Sequence, residues 1–148
     1  MSLQKWVNEG AICAHKSTKI DISNLLQLVD RSIKDASFKE ISSAQRFIIA
    51  YNAALLLASI LLHAAGYRTK AKGGHHWITF LAIPEILGKR EGEKYSNYFN
   101  QCRLRRNMTS YEIPLEVPVE ECEHLIKDVQ NFKKEILSWL KKHHPSLI

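Results

Sequence analysis

Cysteine, glycine and proline are all scarce in this sequence of 148 residues, and each scarcity excludes a class of protein. The three cysteines, Cys13, Cys102 and Cys122, are odd in number and widely spaced, so they predict neither a disulfide framework nor a Cys-x-x-Cys zinc site. Six glycines and four prolines argue against collagen-like, disordered and repeat-rich chains. No glycine-rich phosphate loop and no metal-binding motif stand out, so we expect no metal and no cofactor.

The composition is that of a soluble globular protein with a real core, since 45% of the residues are hydrophobic and 24% are charged. The length suits one average domain, and no boundary or low-complexity tract divides residues 1–148. Twenty-one basic residues against 15 acidic ones give a net charge of +6. This surplus favours an acidic partner, and nucleic acid is the commonest kind.

One apolar run, residues 47–67, is long enough to span a membrane. Tyr51, Asn52, Ser59 and His63 interrupt it, and an arginine at each border gives no topology signal. A helix that is apolar all round is equally typical of the centre of a helical bundle, which is the interpretation we favour. The first six residues lack the apolar run of a signal peptide, so we predict a cytoplasmic protein without membrane contact.

Helical periodicity recurs along the chain, whereas strand alternation does not. The pattern predicts helices over about 22–33, 42–66, 75–87, 93–110 and 119–144, with Ser23 or Asp21 capping the first, Ser42 the second, and Pro84 kinking or splitting the third. The first twenty residues are ambiguous, with one short helix over about 3–8 and then a loop, and residues 67–74 read as a short basic loop. Short loops between long helices predict an all-α, up-and-down bundle of four or five helices.

Arg106 occupies an unusual position on the fourth predicted helix. At about 100° per residue it falls in the same narrow stripe as Tyr95, Phe99 and Cys102, which should face the rest of the chain. An arginine there is costly unless its guanidinium reaches an anion or a cleft, or pairs with a local carboxylate. On the opposite side, Leu104, Met108 and Tyr111 form a second apolar strip, which either packs within the same bundle, as spacing alone favours slightly, or contacts a partner subunit.

Two further groups of residues are candidates for contacts with phosphates. His75 and His76 follow two glycines and open the third helix, where they serve as cap and packing residues, or as proton carriers or phosphate contacts brought to Arg106 by folding. A third alternative is that they are metal ligands, but no second cluster of cysteine and histidine supports it. Basic residues cluster at 67–72 and 102–106, where they form either one groove for phosphates or solvated surface charge. The candidate nucleic-acid contacts are therefore Arg103, Arg105, Lys70, Lys72, His75 and His76.

Three segments together resemble a known family. The runs AYNAALLLASILLHAAGYR at 50–68, GGHH at 73–76 and CRLRRNMTSYE at 102–112, followed by a long last helix, are similar to HEPN domains over about residues 43–140. The resemblance implies a bundle of four or five helices that forms a homodimer. It also implies an activity on RNA, because many HEPN proteins are metal-independent ribonucleases, often toxins paired with a nucleotidyltransferase-type antitoxin.

The resemblance also implies a catalytic set of Arg106, Asn107 and Tyr111. In the family an arginine stabilises charge on the scissile phosphate, and a histidine four to six residues later moves protons. Tyr111 stands where that histidine is expected, and a hydroxyl with a pKa near 10 is a poorer base at pH 7 than an imidazole with a pKa of about 6.5. The alternative is therefore a non-catalytic module that binds a nucleotide or a partner protein.

The spacing of Arg106 and Tyr111 raises a further question of geometry. Residues five apart on an intact helix diverge by about 140°. Either the helix loosens around residues 108–110, or the two side chains meet across a dimer axis.

Overall fold

The computed structural model describes residues 2–70, 75–107 and 116–148. This part of the chain contains six α-helices and one ribbon of two short strands, and it confirms the predicted all-α bundle. In chain order the elements are α1 (Leu3–Asn8), β1 (Ile12–Ala14), α2 (Lys19–Ala36), α3 (Ser43–Ala64), β2 (Tyr67–Thr69), α4 (His75–Leu87), α5 (Lys89–Asn107) and α6 (Val119–His143), followed by a 3-10 turn (Pro145–Leu147).

Helix α3 is the centre of the bundle. It is long and apolar enough to cross a membrane, but α2, α4 and α6 pack around it and bury most of its surface. Phe47, Tyr51, Leu57 and Leu61 are among its fully enclosed side chains. An all-round apolar helix needs such cover on every side. The structure therefore agrees with the core interpretation of this run.

An aromatic layer joins α5 to α6. The ring of Phe132 on α6 lies 4.8 Å from that of Tyr95 and 5.1 Å from that of Phe99, both on α5. Phe80 of α4 extends the layer, with its ring 5.7 Å from Phe99. Aromatic pairs at these separations add about 0.5–1.5 kcal/mol each beyond the burial of their area. The layer fixes the stripe of α5 on which Arg106 also lies.

Helix α2 begins earlier than the periodicity predicts. Its N-cap is Thr18, and not Ser23 or Asp21. Asp21 is instead the third helical residue of a capping box, in which its amide donates to the Thr18 hydroxyl (3.2 Å) and the Thr18 amide donates to its carboxylate (2.9 Å). Ser42 caps α3 as predicted, accepting a hydrogen bond from the amide of Gln45 at 3.1 Å.

The ribbon of β1 and β2 corrects the prediction that residues 9–20 and 67–74 are loops only. The strands pair antiparallel, with Ile12 opposite Thr69 and Ala14 opposite Tyr67. Three residues a strand are too few for an alternating pattern to be visible in a sequence. The ribbon and α1 bury Trp6 and Ile12 in a second small core with Ile78 of α4, and this core supports the first turns of α4.

Helices α4 and α5 form a close hairpin. Pro84 neither ends nor splits α4, which continues to Leu87, and α5 begins at Lys89, four residues before the predicted start. Gly88, with φ of +96°, makes the turn between them. A Cβ atom on Gly92 would lie 2.4 Å from the Cα of Pro84, so only glycine permits this approach. The short turn makes the helices antiparallel neighbours and brings the start of α4 towards the last turns of α5.

Candidate functional site

The hairpin creates a cleft between the first turn of α4 and the end of α5. Its volume is about 260 Å³. The histidine pair and Arg106, which are 30 residues apart in the sequence, meet here. The lining residues are His75, His76, Trp77, Arg103, Arg106 and Asn107.

Arg106 lies on the buried stripe of α5, as the helical periodicity predicts. Tyr95, Phe99 and Cys102 on this stripe are buried, and Arg106 is partly buried. Its Nε is fully buried and has no hydrogen-bond partner within residues 2–70, 75–107 and 116–148. The guanidinium carbon lies 5.5 Å from the centre of the Tyr51 ring, in a cation–π contact. In the described part of the chain, therefore, no carboxylate accepts a hydrogen bond from this Nε, although a local carboxylate partner was one of the two expectations for Arg106.

His76 is the second polar group of the cleft. Its Nδ1 lies 3.1 Å from the hydroxyl of Tyr51. Burial lowers the pKa of His76, and the charges of His75, Arg106 and Arg103 lower it further. The imidazole of His76 is therefore neutral near pH 7.

Tyr51 is buried completely, with 0% of its surface exposed, and it contacts both Arg106 and His76. Burial raises the pKa of Tyr51 to about 12, although the nearby Arg106 opposes this shift. The hydroxyl therefore keeps its proton. The sequence marked Tyr51 only as a polar interruption of an apolar run. Its neighbour Asn52 is exposed, so the two interruptions have different surroundings.

Three other side chains complete the cleft. The ring of His75 stands edge-on to that of His76, with centroids 4.5 Å apart. Arg103 donates from Nε to the side-chain oxygen of Asn100 at 2.9 Å. Trp77 is 42% exposed, which is unusual for a large aromatic residue, and it was not among the predicted site residues. An exposed indole beside arginines offers a stacking surface for a base.

Arg105 does not line this cleft. Its Nε donates to Glu121 of α6 at 2.9 Å, and its Nη2 donates to the backbone oxygen of Glu116. It lines another pocket, of about 220 Å³, with Tyr98 and Cys102. Arg105, one of the predicted nucleic-acid contacts, is therefore paired with the Glu121 carboxylate outside the cleft.

The other predicted residues have different outcomes. Lys70 is exposed just after β2 and does not line the cleft. Asn107, the polar residue of the predicted catalytic set, does line it. Lys72 and Tyr111 lie outside the described residues, as does the stretch 108–110 where a loosening of the helix was considered. Leu104, on the second apolar strip of α5, is 51% exposed, while Met108 of that strip lies outside the described residues.

The cleft has the chemistry of an anion site. Within the described ranges, no group of three or more histidine, cysteine, aspartate or glutamate side chains is placed to hold a metal ion. Arginine N–H groups and a neutral imidazole are suited to a phosphate. Comparison with known protein families, with curated proteins and with solved structures gives no match. The similarity to HEPN domains therefore remains a prediction from the sequence.

Proposed function

We propose that this protein acts on RNA as a metal-independent endoribonuclease of the HEPN type, with its active site in the cleft between α4 and α5. The observation that carries the proposal is the buried, unpartnered Nε of Arg106 beside His75 and His76, with the absence of a partner established for the described residues. A buried donor without an acceptor costs about 1–3 kcal/mol. Because Arg106 also lines the cleft, a phosphate bound there would lie against its guanidinium.

The reaction that fits these groups is an internal transesterification. The 2′-oxygen of a nucleotide attacks the adjacent phosphorus, the bond from phosphorus to the 5′-oxygen breaks, and the products are a 2′,3′-cyclic phosphate and a 5′-hydroxyl. The proton of the 2′-hydroxyl passes to a base, and the leaving 5′-oxygen accepts a proton from an acid. Arg106 stabilises the charge that gathers on the phosphate. The histidine pair supplies imidazole for proton transfer, a task for which the phenol of Tyr111 is poorly suited at pH 7.

The proposal includes the setting that the resemblance implies. The protein is a cytoplasmic homodimer whose partner is RNA or a nucleotide, and a nucleotidyltransferase-type antitoxin restrains it. The exposed Leu104, on the side of α5 away from the core, supports a contact between subunits. The burial of most of α3 inside the bundle supports a protein without membrane contact.

Cleavage of RNA in the presence of EDTA tests the proposal. We expect wild-type protein to cleave and Arg106→Ala to lose activity by about 100- to 1,000-fold, since removal of a single donor that stabilises transition-state charge has effects of this size. Arg105→Ala is the matched control, because it removes an adjacent arginine that is paired with Glu121 outside the cleft. Equal activity of Arg106→Ala and wild type would refute the proposal.

A second candidate function is binding without cleavage. Tyr111 favours it, because a tyrosine stands where the resemblance leads us to expect a proton-transferring histidine. Tyr111→His distinguishes the two functions. If wild-type protein is inactive and this substitution creates cleavage, the natural protein is a binding derivative of a ribonuclease. If wild-type protein cleaves with Tyr111 in place, the enzymatic proposal stands.

A further inference from the structure

Tyr51 lies beneath the cleft and contacts its two main polar groups through different parts of one side chain. The hydroxyl lies 3.1 Å from Nδ1 of His76, and the ring lies under the guanidinium of Arg106 at 5.5 Å. A completely buried tyrosine on the central helix has little freedom to move, since α2, α4 and α6 pack around that helix. The geometry thus couples the placement of His76 and Arg106 to one rigid residue.

The direction of the hydrogen bond between Tyr51 and His76 follows from counting donors and acceptors. The tyrosine hydroxyl carries one proton, and Nδ1 of His76 is its hydrogen-bond partner within the described ranges. If Nδ1 carried the imidazole proton and donated it to the hydroxyl oxygen, the buried tyrosine proton would have no acceptor there. If the hydroxyl donates to a bare Nδ1, both groups are satisfied. The imidazole proton is then on Nε2.

We propose that Tyr51 is a positioning residue, whose hydroxyl holds His76 as a neutral imidazole with its proton on Nε2 while its ring supports Arg106. The tautomer follows from the described contacts alone, whereas the consequence for catalysis rests on the proposed function. His76 then offers an N–H to the phosphate beside that of Arg106, and it is not the base. His75, whose ring has no hydrogen bond within the described ranges, is the member of the pair that accepts the proton of the 2′-hydroxyl.

The surroundings of His76 agree with a neutral ring. The charged and titratable groups that face it are Arg103 and Arg106 from α5, His75 from α4 and Tyr51 from α3. The two arginines repel a further positive charge, and burial disfavours it as well. A neutral N–H donor can bind a phosphate without taking up a proton beforehand.

Long-range ¹H–¹⁵N correlation spectra of the protein without RNA test the tautomer directly. We expect wild-type His76 at pH 7.5 to show a protonated Nε2 and a bare Nδ1. Tyr51→Phe keeps the ring under Arg106 and removes only the hydroxyl, so we expect the Nδ1-protonated form to increase. Tyr98→Phe is the matched control, because the Tyr98 hydroxyl also contacts a histidine, His124, at 2.9 Å but outside the cleft. We expect it to leave the His76 signals unchanged.

Two results would overturn the assignment of Tyr51. One is a wild-type His76 that carries its proton on Nδ1. The other is a Tyr51→Phe protein with the tautomer populations of the wild type. Because these spectra need no RNA, they are independent of whether the protein cleaves it. The division of roles is tested by cleavage rates in EDTA, in which His75→Ala should lose more activity than His76→Ala, because only His75 accepts a proton from the substrate. The opposite pattern would contradict the division.

Discussion

Arg46 and Arg106 both have N–H groups buried in this bundle, but they differ in the hydrogen-bond partners of those groups. The difference distinguishes an arginine that stabilises the fold from one suited to bind a ligand. Arg46, in the first turn of α3, is only 3% exposed. Its Nε donates to the backbone oxygen of Ala36 at 2.7 Å, and its Nη2 donates to Glu123 at 2.7 Å. It thereby ties the end of α2 and the start of α6 to the central helix. Arg106, in the last turn of α5, has a buried Nε without such a partner in the described part of the chain.

The difference shows how to interpret a buried arginine in an apolar stripe. Both residues have a buried N–H group, although Arg46 is buried as a whole and Arg106 only in part, and both belong to helices that pack on the core. What distinguishes them is whether the chain itself supplies acceptors for the buried N–H groups. Arg46 serves the fold, whereas Arg106, which lines the cleft, is suited to an external anion. Arg105, one residue earlier, shows that even adjacent arginines divide in this way, because it is paired with Glu121.

The largest effect that this comparison predicts is on stability. Arg46→Ala should lower the free energy of unfolding by about 2–3 kcal/mol, because it leaves the Ala36 carbonyl and the Glu123 carboxylate without their partner. Arg106→Ala should change it by no more than about 1 kcal/mol, since the contact of Arg106 with α3 is a cation–π contact with Tyr51, an interaction worth about 0.5–1 kcal/mol at partly exposed sites. Urea denaturation of both variants measures the difference. A loss in Arg106→Ala as large as that in Arg46→Ala would show that Arg106 is a structural residue.

A smaller effect concerns the titration of His76. Because the Arg106 charge helps to lower the pKa of His76, Arg106→Ala should raise this pKa towards 6.5, its ordinary value. Arg46→Ala should leave it unchanged. NMR titration of the His76 ring gives the result for each variant. An unchanged His76 pKa in Arg106→Ala would show that the two groups do not share one cleft.

The lowered pKa of His76 also makes the stability of the folded protein depend on pH. The folded protein binds a proton at His76 less readily than the unfolded chain does, so more protons are bound on unfolding and stability falls as the pH drops below about 6.5. His63, whose pKa is lowered mainly by burial, contributes in the same direction. Arg106→Ala should therefore lose less stability between pH 7 and pH 5 than the wild type does. His63 should contribute equally to both proteins.

The sequence predicts most of the fold because the long helices have clear periodicity. Apolar residues at spacings of three and four locate α2 and α6, a long run that is apolar all round locates α3, and the helical period places Arg106 on the buried stripe of α5. The errors arise where local signals are weak or misleading. Each strand of the ribbon is only three residues long, and the polar residues 89–92, which the predicted helix over 93–110 leaves out, are helical. Pro84 is accommodated because Gly92 leaves room for it, a contact between two helices that no local rule predicts.

The site was predictable only in part, for a related reason. The sequence identifies Arg106 and the histidine pair as separate candidates, but only the hairpin of α4 and α5 brings them into one cleft. Tyr51 was missed as a site residue because its role depends on contacts across three helices. Arg105 could not be distinguished from Arg106 by residue type, since the difference is the position of Glu121 on another helix.

Binding of a 2′-O-methyl RNA oligonucleotide tests the central claim most directly, because this ligand keeps the phosphates but lacks the attacking hydroxyl. With EDTA present and at several salt concentrations, Arg106→Ala should weaken binding by about tenfold or more and make it less dependent on salt. Arg105→Ala should stay within about threefold of the wild type, because its guanidinium is already paired with a carboxylate. Equal affinities for wild type and Arg106→Ala would contradict the claim that the Arg106 guanidinium in the cleft binds a phosphate.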